Sequence, residues 1–179
     1  PRHELVAALR SLGDAFARHA RKPYVLKFSS WNTLFCDILL EAFPESPWVL
    51  SLRDPVEVGV SLLSQPAGWM RGAEEPSREL GRYVDPDGAS HSPEEFVARL
   101  YGAFCEAAGR LDARRGRLVG YETLPAAVWE IVAPHFSLSI DGRQRHRMVQ
   151  AARINSKAPV GMASEFSSDA ATQQAAAST

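Results

Sequence analysis

Two cysteines in 179 residues are too few for a disulfide framework. Cys36 and Cys105 also stand apart from any CxxC or Cys/His spacing, so they offer no zinc ligand set. A reduced, cytoplasmic setting is the expectation. No apolar run approaches the roughly 18 residues that a membrane-spanning helix requires, and the start of the chain lacks the basic-then-apolar layout of a secretory signal. Excess charge is missing as well. Twenty basic residues face 21 acidic ones for a formal net charge of -1, which removes any general electrostatic ground for nucleic acid or a membrane surface as partner. An anion site therefore has to be local. The five histidines contain no i, i+4 pair, which argues against a metal centre, and no Gly-x-x-x-x-Gly-Lys-Ser/Thr phosphate loop occurs.

What is present suits a single domain, because 45% apolar residues in a chain of this length supply one sizeable core. Leu5, Leu9, Leu12 and Phe16 recur at helical spacing and predict a helix over 4–19 with one buried stripe, stopped at Lys22 and Pro23. The apolar runs 24–28 and 48–52 have the length of buried strands. Between them, a helix from about Asn32 through Ile38 to Phe43 has the length of a crossover joining parallel strands. Asp54, Pro55 and Glu57 read as cap, first-position proline and capping-box partner of a further helix to about Leu63.

The stretch 65–90 is punctuated by Pro66, Gly68, Gly72, Pro76, Gly81, Pro86 and Gly88 and predicts a long excursion. Ser92, Pro93 and Glu95 then launch a helix through Leu100 and Phe104 to about Leu111. Residues 118–121 predict a third strand, and 129–136 and 143–155 two more helices, the last rich in arginine. From 163 to 179 the composition drifts to Ala, Ser, Thr and Gln, a tail in which no chemistry is expected. The order of elements predicts an α/β fold over 1–162, three-layered, with a mostly parallel sheet flanked by helices.

In such a sheet ligands collect beyond the carboxyl ends of the strands, where the next helix offers unpaired N–H groups and the positive end of its dipole. Two loops occupy such places: Ser29-Ser30-Trp31-Asn32 after the run bearing Lys27, and Arg53-Asp54 after Leu52. Arg53 brings a permanently charged, forked donor suited to a phosphate, and Ser61 adds a hydroxyl two turns into the following helix.

The run from Trp48 to Ser61, a strand, Arg-Asp-Pro and then Ser eight residues after the arginine, resembles the 3′-phosphate-binding motif of the sulfotransferases that use 3′-phosphoadenosine 5′-phosphosulfate (PAPS). Phe43-Pro44 just before the strand fits the same pattern, and Gly120-Tyr121-Glu122-Thr123-Leu124 resembles the family's later Tyr-Glu-x-Leu segment. The resemblance implies a P-loop nucleotide-binding-like fold and transfer of the sulfonate of PAPS to an acceptor hydroxyl or amine, without a metal. It implies cosubstrate binding by Arg53, Ser61 and Tyr121, with the tyrosine close to adenine, and a catalytic Lys27 that helps hold the transferring sulfonate. It also implies that Arg143, Arg147 and Arg153 are second-line contacts for the 3′-phosphate.

Two departures follow from the same comparison. Ser29 stands where cytosolic relatives place a histidine base, leaving His91 as the base to test, and the family's phosphate loop does not occur, so the chain is expected to be incomplete at its N-terminus. The residues themselves leave other readings open. Arg53-Asp54-Pro55 suits a plain helix cap, Lys27 a strand-end lysine reaching solvent, Tyr121 and Trp31 core aromatics, and 143–147 a solvated helix face. The competing functions are a non-catalytic nucleotide-binding or interaction module of the same fold and a P-loop kinase relative.

Overall fold

The computed structural model describes residues 1–18, 23–65, 80–81, 83–87, 92–154 and 175. The chain divides into two compact units, one of residues Pro1–Trp48 with Arg99–Gly116, the other of Val49–Ala98 with Arg117–Thr179.

In the first unit, α1 (Arg2–Ala17) packs along α2 (Cys36–Ala42). The contact face is not the expected leucine stripe. Val6 is buried and Leu9 half-buried, whereas Leu5, Leu12 and Phe16 are about half exposed. Two polar anchors and a glycine explain the rotation. Arg2 donates to Asp37 and Glu41 on one side of α2 at 2.8 and 2.7 Å, and Arg10 reaches the last carbonyls of α2, those of Glu41 and Ala42, at 2.9 and 3.1 Å. Gly13 lies so close to the Phe43 ring that a Cβ there would sit 2.6 Å from it. Residues 2, 6, 9, 10 and 13 form one helical face, and that face meets α2.

The helix expected from Asn32 begins as a 3₁₀ turn, Ser30–Phe35, opened where the Ser29 N–H donates to Asn32 Oδ1 at 3.1 Å, and continues as α2 up to Phe43. The strand expected at 24–28 is not formed among the described residues. Tyr24, Val25, Leu26 and Phe28 are 46–55% exposed, and Tyr24 stacks on Phe16 instead of lying in a sheet.

Strand β1 (Trp48–Leu52) and strand β2 (Gly116–Gly120) make a two-stranded parallel sheet flanked by helices. At its start the Trp48 indole lies across Gly116, where a Cβ would overlap the ring. Glycine is required there by that close approach. Between the strands run α3 (Pro55–Ser64) and α4 (Pro93–Gly109), the crossover length that parallel strands need. The Ser92 hydroxyl accepts the Glu95 N–H at 3.2 Å and caps α4 as its sequence predicts; Leu100 within α4 is fully buried.

Beyond β2, a wide turn Val128–Val132 leads into α5 (Ala133–His135), followed by α6 (Gly142–Ala152). Asp141 and Gln144 cap α6 reciprocally: the Gln144 N–H donates to Asp141 Oδ1 at 2.7 Å and the Asp141 N–H to Gln144 Oε1 at 2.8 Å. The protein is thus α/β, with a two-stranded parallel sheet among the described residues where a broader, three-layer one was expected. The excursion at 65–90 is described only at a few positions, and the tail 163–179 only at Ala175.

Candidate functional site

Because β1 and β2 are parallel neighbours, their carboxyl ends open at the same edge of the sheet. Arg53 directly follows β1 and Tyr121 directly follows β2. The Arg53 guanidinium accordingly lies over the Tyr121 ring, with Cζ 4.9 Å from the ring centre, a cation–π distance. Its Nε donates to Glu57 Oε2 at 2.7 Å, with the two side chains only 19% and 12% exposed. So held at its edge by a carboxylate and at its face by a ring, the guanidinium has a defined orientation, and the burial of each charge is compensated by the other.

Glu57 is the site residue the sequence misassigned. It sits three residues after Asp54 and four after Arg53, and its carboxylate takes the arginine. The available signal was an i, i+4 Arg–Glu pair with the acid placed among Val56, Val58 and Val60, surroundings that reward pairing over solvation.

Asp54 closes the start of α3. Its Oδ1 accepts the N–H groups of Val56 at 2.9 Å and Glu57 at 3.2 Å, its carbonyl accepts that of Val58 at 3.0 Å, and Pro55 has none to give. This corrects one expectation: the first-turn amides of α3 are already bonded and cannot cradle a phosphate. Any anion here must be bound by side chains.

Ser61 lies one helical turn beyond Glu57 on the same stripe of α3, half-buried. Arg53 precedes α3, so of the expected pair only Ser61 stands on the helix, and Glu57, between the two in sequence, holds the arginine. Tyr121 is 40% exposed and begins the short turn Tyr121–Thr123, in which Thr123 Oγ1 donates to the Gly120 carbonyl at 2.6 Å. A Cβ on Gly120 would overlap the Glu122 carboxylate, so this acid folds back against the strand exit.

Arg53, Glu57, Ser61 and Tyr121 all belong to the second unit. Lys27 belongs to the first, where it is exposed in the irregular stretch before Ser30, not at a strand exit. Trp31 meets Phe35 edge-on at 6.1 Å, packing within its own turn, while His91 lies outside the described residues. Among the described residues, no three His, Cys, Asp or Glu side chains gather as a metal site would require, and no helix is long and apolar enough to cross a membrane.

An oriented guanidinium, a hydroxyl on the following helix and a partly exposed aromatic ring are groups that can bind an anion and pack against a planar ring. Comparison with protein-family models, with curated proteins and with solved structures finds no match to this chain.

Proposed function

We propose that this chain is the 3′-phosphoadenosine-binding part of a PAPS-dependent sulfotransferase. The observation that carries the reading is the Arg53–Tyr121 stack at adjoining strand ends, anchored by Glu57. Two residues from separate segments of the one resemblance, far apart in the sequence, meet in space. In this reading Arg53 and Ser61 hold the 3′-phosphate through side chains alone, since Asp54 has taken the α3 amides, and Tyr121 borders the adenine.

PAPS supplies the activated sulfonate. Its sulfur leaves the bridging oxygen of the phosphosulfate and bonds to an acceptor oxygen or nitrogen, whose proton passes to a base not identified among these residues. The role of stabilising charge on the transferring group is the one the sequence resemblance assigns to Lys27. Its exposed position in an irregular stretch favours a second reading, a module that binds the nucleotide without turning it over.

Isothermal titration with adenosine 3′,5′-bisphosphate tests the binding. Ser61→Ala is the informative variant, because it removes one hydroxyl and leaves the Arg53–Glu57 pair in place. A lost hydrogen bond to a charged group should weaken binding about tenfold or more. Arg53→Lys, which keeps the charge for Glu57 but loses the fork, should weaken it further. No detectable binding by the unmodified protein, or ATP displacing the bisphosphate at lower concentration than the bisphosphate displaces ATP, overturns the reading. Binding without sulfonate transfer from PAPS to any of a panel of phenols and amines selects the second one.

A further inference from the structure

Helix α6 carries charge in a pattern that its own stability does not explain. Its sequence, from Gly142 to Ala152, contains no acidic residue, and no acid occupies its first turn, where Arg143 and Arg145 instead stand near the positive end of the helix dipole. Arg145 has a local purpose: it lies 5.2 Å over the Trp129 ring and 3.9 Å from Glu130. On that side Val149 and Ala152 are half-buried.

The other side is different. Arg143, His146, Arg147, Gln150 and Arg153 recur at helical spacing along one face, and all are exposed. Arg143, Arg147 and Arg153 have no ion pair among the described residues, although Arg2, Arg53, Arg114 and Arg115 are each paired with a carboxylate. In a chain of net charge -1, three arginines without an ion pair among the described residues thus share one helix face.

We propose that this face of α6 docks an acidic peptide segment of a partner protein. The sign of the face calls for an anionic occupant, and three further features choose among anions. His146 carries the only ring on this face, too little for a run of unstacked nucleobases, and the balanced charge of the whole chain supplies no field to gather a nucleic acid. Of the apolar residues of α6, Val149 and Ala152 are half-buried, and the exposed Met148 and Ala151 offer too little apolar surface to enter a lipid surface. Arg143 and Arg147 are about 6 Å apart along the helix axis, close to the roughly 6.6 Å between alternate side chains of an extended strand. Carboxylates on alternate residues of an extended peptide can therefore each pair with one of their forks, and Arg153, about 9 Å further along, takes a later carboxylate.

The test is fluorescence anisotropy with a fluorescein-labelled hexaglutamate peptide, a 20-nucleotide oligo-dT and phosphatidylserine vesicles as probes. The expected result is saturable peptide binding at low salt that weakens as sodium chloride is raised. It should fall at least tenfold in R143Q/R147Q/R153Q. The triple lysine variant, R143K/R147K/R153K, keeps the charge but loses the forks, so it should bind more weakly than the unmodified protein and more tightly than the triple glutamine variant, which guards against a folding defect. Absence of peptide binding, equal binding by the triple glutamine variant, or tighter binding of the oligonucleotide or the vesicles overturns the proposal.

Discussion

A single carboxylate shows how local geometry sets residue chemistry here. Asp112 accepts from the Arg114 side chain at 2.6 and 3.0 Å and from the Arg114 backbone N–H at 3.0 Å, capping the turn Ala113–Arg115. These contacts favour the ionised form and pull its pKa down to about 2, from a usual value of 3.8. A lowered folded-state value means that the contribution to stability is present above pH 3.8 and fades as the pH falls through about 2. Carbon-detected NMR titration should place the Asp112 carboxyl near that value, and Arg114→Ala should return it toward 3.8. The two thiols differ in a comparable way: burial pushes the Cys36 thiol up while its Sγ donates to the Asn32 carbonyl at 3.6 Å, and Cys105 is exposed.

At the scale of elements, end signals were more legible than faces. The caps at Asp54 and Ser92 consist of adjacent residues whose side chains reach their own backbone, so each acts without regard to the rest of the chain. The stop after α5 was not legible. The Leu138 N–H donates to the Ala133 carbonyl at 2.8 Å and the Ser137 N–H to that of Pro134 at 3.0 Å, closing a left-handed C-terminal motif with Ser137 at φ 54°. Glycine usually fills that position because a Cβ is disfavoured there. Ser137→Gly should therefore stabilise the protein by about 0.5–1 kcal/mol in urea denaturation; a loss of stability would show that the serine side chain contributes more than its backbone conformation costs.

Across the molecule, the Arg53–Glu57–Tyr121 cluster joins two strand exits that are distant in sequence. Removing one member of a largely buried pair leaves the other charge desolvated, so Glu57→Ala and Arg53→Ala should each cost about 2–3 kcal/mol. The double variant should cost clearly less than the sum, by about 1 kcal/mol or more in a double-mutant cycle. Strict additivity would mean that the two side chains do not support one another, and would remove the basis for an oriented arginine at the candidate site.

The starts of α3 and α4 and the strand before Arg53 were determined by neighbouring residues, and the sequence by itself was enough to find them; the second strand, expected at 118–121, forms at Gly116–Gly120 and leaves Tyr121 at its exit. Tertiary structure decided the rest. A strand exists only if another backbone pairs with it, which is why 24–28 looks like β1 in composition yet forms no ladder among the described residues. A helix face is chosen by what lies opposite, and so α1 turned Arg2, Val6 and Gly13 inward in place of its leucines. An ion pair depends on which groups lose water together, and so Glu57, with two partners within reach along the chain, holds the arginine.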